Sequence, residues 1–114
     1  MDIGDMTQGA SKASQFLRSL GHEGRLLLLC SLVEGEQTVG ALSEKLYMRQ
    51  AAVSQQLALL RREGFVTARR DGRMVHYALA DERVRAILPV LYELFCARPE
   101  TESSHSRIME STAG

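Results

Sequence analysis

No run of apolar residues in this chain approaches the length of a membrane span; the longest strongly apolar stretch covers residues 26–33. The N-terminus lacks the basic-then-apolar pattern of a secretory signal. A cytoplasmic protein with no membrane partner is therefore expected. Cysteine is scarce: the two, Cys30 and Cys96, lie too far apart in sequence for a CxxC redox motif or a zinc knuckle. A reducing cytoplasm also disfavours a permanent structural disulfide. There is no internal repeat. An excess of charge of either sign is missing too, because 14 basic and 14 acidic residues cancel. Taken as a sum, that balance argues against nucleic acid.

What is present reverses that argument. The 114 residues suit one domain with a modest core, to which an interface would add, and 45% hydrophobic with 25% charged residues is ordinary for a folded chain. The charge is unevenly distributed. Residues 49–79 hold six arginines (49, 61, 62, 69, 70 and 73) against Glu63 and Asp71, a local net charge of +4. The remainder holds 8 basic and 12 acidic residues, −4. A phosphate ladder responds to local sign more than to the sum.

The +4 segment has internal order. Val53, Leu57 and Leu60 recur at helical spacing and predict one buried stripe over residues 49–63. The opposite side offers Arg49, Gln50, Ser54 and Gln55, side chains suited to base edges and phosphates. Gly64 ends this helix. Two strand-like runs over 65–79 then flank Asp71-Gly72, read as a hairpin turn whose two central residues take positive φ. Arg70 and Arg73 lie at its tip. A polar helix followed by an arginine-tipped hairpin is the pattern of a winged helix-turn-helix that holds double-stranded DNA. Such a domain can also bind protein, with less need for arginines at the wing.

Earlier segments complete the pattern. Residues 1–10 read as a disordered N-terminal arm and 11–20 as a first helix broken by Gly21. Residues 22–34 form a strongly apolar helix stopped by Gly35, and Thr38 caps a short helix to Leu46. Asp81 caps a last helix to about Arg98. Pro89 lies within it, and helical spacing of Val84, Ile87, Leu88, Leu91, Leu94 and Phe95 on both sides favours a kink over a late start. The Ser/Thr/Glu-rich tail, 99–114, reads as disordered. The expected fold is thus mainly α with a small β-hairpin wing: a winged helix-turn-helix domain over 11–98, with five helices and two strands.

Taken together, His22-Glu-Gly-Arg-Leu26, Thr38-Val-Gly-Ala-Leu-Ser-Glu-Lys-Leu46, Ala52-Val-Ser-Gln-Gln-Leu57, Leu60-Arg-Arg-Glu-Gly-Phe-Val66 and Asp71-Gly-Arg resemble the ArsR/SmtB family of dimeric bacterial repressors in order and spacing. The resemblance covers about residues 11–98. It implies a homodimer on a palindromic operator, with recognition helices in successive major grooves about 34 Å apart. The first and last helices would pair across the two-fold axis, burying Phe16, Leu17, Leu20 and part of 88–95. It implies no enzyme activity. Two positions depart from the family pattern. Arg49 stands where the family has an N-capping serine, and Gln56 where it has histidine before the closing leucine.

Metal sensing is that family's commonest role, yet its ligand sets are missing here. Residues 43–48 contain no cysteine, and no histidine lies between 77 and 104. His22, His76 and His105 fall on different elements and read as solvated or structural. No metal or cofactor is expected. Cys30, within an apolar helix, reads by itself as a small core residue, and Cys96 as a boundary residue on an amphipathic helix. Both positions match the persulfide-responsive subgroup of the family, in which one thiol in the second helix and one near the end of the last form the switch. That resemblance implies a Cys30–Cys96 polysulfide or disulfide bridge, formed by reactive sulfur species, that releases DNA. Two alternatives use the same thiols: a sensor of arsenite or a soft metal, and a thiol oxidoreductase, which the chain does not favour because no CxxC or adjacent base is present.

Overall fold

A computed structural model describes residues 1–96 of the chain; the expected tail at 99–114 lies outside the described residues. Helix α1 runs Ile3–Leu20, so the arm expected over 1–10 is helical from its third residue. Local cap chemistry explains the difference. The Asp2 carboxylate accepts the Gly4 N–H at 2.8 Å, and Asp5 sits in the first turn, where negative charge complements the exposed N–H groups. Helix α2 (Glu23–Leu32) starts at His22, whose ring nitrogen accepts the Arg25 N–H at 3.4 Å. Thr38 caps α3 (Val39–Leu46) through Ala41 N–H at 3.1 Å, as its sequence position implied.

A tight turn joins α3 to α4 (Gln50–Arg62). Tyr47 holds it in the left-handed region, at φ 55° and ψ 43°. Its N–H and that of Met48 both reach the Ser43 carbonyl. Helix C-termini commonly close this way, with glycine in the left-handed position; here the residue is tyrosine. Gly64, at φ 83°, turns the chain out of α4, where a side chain would be strained.

The sheet has three strands rather than two. β1 (Gln37–Thr38), β2 (Val66–Asp71) and β3 (Met74–Leu79) lie antiparallel in the order β1-β3-β2. β1 pairs Gln37 with Tyr77 and Thr38 with His76. Two residues are too few to show a period-two pattern, so this strand left no signal in the sequence. The hairpin turn is shifted by one residue from expectation. Asp71 pairs with Met74, leaving Gly72 and Arg73 as the central residues. Only Gly72 has positive φ (64°), as in a II′ turn with glycine first.

The chain divides into two units, Met1–Asp81 and a second that begins at Glu82. In the first unit, Leu28 and Leu29 of α2, Leu42 of α3, and Val53, Leu57 and Leu60 of α4 have no exposed surface. Burying each such side chain contributes about 1.5–3 kcal/mol before chain entropy is counted. Phe16 packs edge-on against Phe65, ring centroids 5.9 Å apart. The second unit holds α5 (Glu82–Phe95), which continues through Pro89. Val84 and Leu88 are buried, whereas Val90, Tyr92, Leu94 and Phe95 are exposed.

Candidate DNA interface

Helix α4 shows why one apolar stripe leaves a usable face. Val53, Leu57 and Leu60 take its inner side, and at about 100° per residue Gln55 falls opposite them. Gln50, Ser54 and Gln55 are all exposed, and so is Arg49 just before the helix. Ala51 and Ala58 are exposed between them and keep that face low. Arg49 occupies the N-cap without a side-chain cap bond, as its lack of an acceptor dictates. Exposed Arg61 and Arg62 close the helix and add positive charge.

The wing separates its arginines by role. Arg69 donates to Glu36 twice, at 2.8 and 3.1 Å, and holds that carboxyl below the usual carboxylate range, chiefly through this hydrogen bonding. The carboxylate in turn raises Arg69. Arg70 and Arg73 are exposed and have no ion-pair partner among the described residues. The sequence did not distinguish Arg69 from its neighbours, because Glu36 lies far away along the chain.

A second polar cluster escaped sequence reading. Arg25 of α2 donates to Gln56 Oε1 at 2.9 Å, to Glu63 Oε2 at 3.2 Å and to the Ser19 carbonyl at 3.4 Å. Ser19 Oγ donates to Glu63 Oε1 at 2.6 Å. Gln56, at the position that departs from the family pattern, is thus bound to another helix. Its helical position beside the apolar stripe was a signal available in the sequence, and the structure finds it half-buried.

The thiols lie in different units. Cys30 is exposed, which corrects its reading as a buried core residue. Leu28, Leu29, Ser31 and Leu32 face inward, while Leu27, Cys30 and Val33 follow at three-residue spacing on the outer side of α2. An all-apolar stretch hid these two faces. Cys96 is exposed just beyond α5, its N–H bonded to the Tyr92 carbonyl at 2.8 Å. Some residues expected at a dimer interface are already covered within the subunit. Leu20 is buried and Phe16 is stacked within the subunit, leaving Leu17 exposed. Leu88 in α5 is likewise buried.

His22 serves as a helix cap and His76 is half-buried in β3; His105 lies outside the described residues. Among the described residues, no group of three or more His, Cys, Asp or Glu side chains is placed to hold a metal ion. Nor is any described helix long and apolar enough to cross a membrane.

Comparison with known proteins places this architecture. Residues 22–68, from the α2 cap into β2, match the model of the bacterial regulatory proteins of the arsR family. A biofilm growth-associated repressor of Agrobacterium fabrum is 39% identical over 105 residues, 88% of this chain and 90% of that protein. The structure of the transcriptional repressor BigR from Xylella fastidiosa superposes with a TM-score of 0.80 at 38% identity, covering 86% of this chain and all of that one. Reduced HlyU from Vibrio cholerae gives 0.75 at 39% identity, covering 82% and 98%. Those relatives are named as transcription regulators rather than enzymes. With winged helix-turn-helix architecture and sequence in agreement, the chain belongs to the arsR family of bacterial regulatory proteins.

Proposed function

We propose that this protein is a homodimeric transcriptional repressor, holding a palindromic operator when its thiols are reduced and leaving it when reactive sulfur species bridge Cys30 to Cys96. The observation that carries the DNA reading is the exposed face of α4, bearing Gln50, Ser54 and Gln55, together with a wing whose Arg70 and Arg73 have no ion-pair partner among the described residues. Gln50, Ser54 and Gln55 read base edges in the major groove; Arg49, Arg70 and Arg73 hold phosphates or enter the minor groove. The exposed Leu17 of α1 and the exposed apolar residues of α5 supply the dimer surface. A homodimeric winged helix-turn-helix DNA-binding domain from Mycobacterium bovis, a structural match at TM-score 0.65 and 27% identity, supports that assembly.

The switch reading rests on the two exposed thiols and on the kinship with HlyU, one of whose structures is of the reduced protein. Each thiolate attacks the outer sulfur of a persulfide donor, forming a cysteine persulfide and releasing the donor as its thiol. Joining the two cysteine persulfides removes two electrons and two protons. A third donor takes them up and leaves as thiol plus hydrogen sulfide, and the product is a tetrasulfide. Each added sulfur lengthens the bridge by up to about 2 Å, so thiols held beyond the direct disulfide range of roughly 4.4–6.8 Å between Cα atoms favour sulfur donors over peroxide.

Retention of a labelled duplex, enriched by the protein from a random pool, tests the reading. Reduced protein should retain it, and glutathione persulfide should release it with two extra sulfur atoms in an intramolecular bridge. A double serine variant that still lets go on persulfide treatment would overturn the switch. Equilibrium dialysis of reduced protein with arsenite separates this reading from a soft-metal sensor.

A further inference from the structure

Helix α4 is gripped along one flank by a single guanidinium. Gln56 and Glu63 are seven residues apart, so they project on the same side of the helix, near its middle and at its C-terminal cap. Gln50 and Ser54 lie on the other flank of the apolar stripe, and Gln55 opposite that stripe. Arg25 reaches both Gln56 and Glu63, and also ties them to the last turn of α1 through Ser19. Its own backbone is held at the His22 cap of α2. The side chain is only 18% exposed, so the charge is partly desolvated and stays there by virtue of its three acceptors.

We propose that Arg25 is a positioning residue for sequence discrimination, setting the rotation of α4 about its axis and so the pose of Gln55 against the bases. The proposal rests on the DNA-binding reading above. The apolar stripe sets which side of α4 faces inward, but hydrophobic contact is non-directional and fixes the rotation less sharply than hydrogen bonds do. At the N-terminus of α4 the one side-chain hold among the described residues is Ser43 Oγ donating to the Met48 carbonyl before the helix, and Arg49 itself makes no cap bond. The Arg25 hydrogen bonds are directional. A rotation of about 10° moves a side-chain tip roughly 6 Å from the helix axis by about 1 Å. That shift breaks a base hydrogen bond, whose tolerance is a few tenths of an ångström, but barely changes a charge–phosphate attraction. Losing the clamp therefore lowers discrimination and spares general affinity.

The test titrates wild type, Arg25→Met, Gln56→Met, the double variant and Gln56→Glu against an enriched duplex and a random one at fixed salt. Thermal melting of each checks its fold. Arg25→Met and Gln56→Met should each lower the ratio of enriched to random affinity by about tenfold, the scale of one lost base contact. Random-DNA binding should stay within about twofold, as expected of phosphate contacts left intact. The double variant should lose no more than the worse single, because both act through one contact. Gln56→Glu, which keeps an acceptor for Arg25, should retain the ratio. If Arg25→Met does not fold, Gln56→Met carries the test, since it leaves the Arg25–Glu63 pair in place. An unchanged ratio in Gln56→Met, or an equal loss on both duplexes, overturns the proposal. Loss in Gln56→Met with none in Arg25→Met also overturns it and makes Gln56 itself a base reader. A wild type that prefers no duplex at all defeats the DNA-binding reading instead.

Discussion

Arg69 and Glu36 meet at two points, Nη2 to Oε1 at 2.8 Å and Nε to Oε2 at 3.1 Å, and so join β2 to the residue before β1 across the middle strand of the sheet. Hydrogen bonding from Arg69 lowers the Glu36 pKa. A carboxylate lowered by folding stabilises the fold above its ordinary value and loses that contribution as pH falls through the lowered value. Glu36→Gln should therefore melt below wild type at neutral pH. The gap should close under acid conditions, and a gap independent of pH would deny the ion pair this role. Both groups are exposed, and salt should shrink the effect.

Tyr47 carries a strain that no contact of its side chain offsets. It is the single non-glycine residue with positive φ among those described, and 96% of it is exposed. Tyr47→Gly should raise stability by about 1 kcal/mol, the usual cost of a side chain in the left-handed region. Urea unfolding checks this. A destabilised variant would mean that the ring acts where the subunit alone does not show it.

DNA binding by the +4 segment should weaken steeply with salt. A dimer making on the order of 6–10 phosphate contacts should lose roughly 10³-fold or more between 50 and 200 mM salt. Arg73→Ala should weaken enriched and random duplexes alike, whereas Gln55→Ala should reduce only the difference between them. Equal losses for Gln55→Ala would remove it from the base-reading set.

Leu94, 58% exposed on α5, tests the dimer surface. Leu94→Glu should shift sedimentation toward the monomer at micromolar concentration, because an unpaired charge is costly to bury. An unchanged dimer would place the interface elsewhere.

The thiols can be tested one at a time. Cys30→Ser and Cys96→Ser should each keep DNA binding and lose the persulfide response, read by retention assay and by intact mass. Either variant remaining fully responsive would reduce the switch to a single thiol.

Local patterns carried much of this protein in the sequence itself. The period of Val53, Leu57 and Leu60 determined which side of α4 is buried, and hence that Gln50, Ser54 and Gln55 are exposed. Thr38, Gly64 and Gly72 marked a cap, a helix exit and a turn, because each acts through its own backbone or that of residues close by. Where two local signals competed, the weaker cue misled: Asp2 capped a helix through residues that look like a polar arm. Aspartate and glycine at 71–72 announced a hairpin, but the strand pairing placed its centre one residue later.

The remainder depended on groups distant along the chain. Nothing near Arg69 distinguishes it from Arg70; Glu36 does, and only once β3 lies between β1 and β2. Cys30 sits among leucines that all read as core, and only the packing of α2 decided which of its faces is buried. Arg25 resembles an ordinary charge near a helix start until α1, α2 and α4 converge around it. Periodicity encodes which side of an element is buried. It does not encode which partner meets that side, because pairing is settled by the joint packing of elements rather than within any one of them.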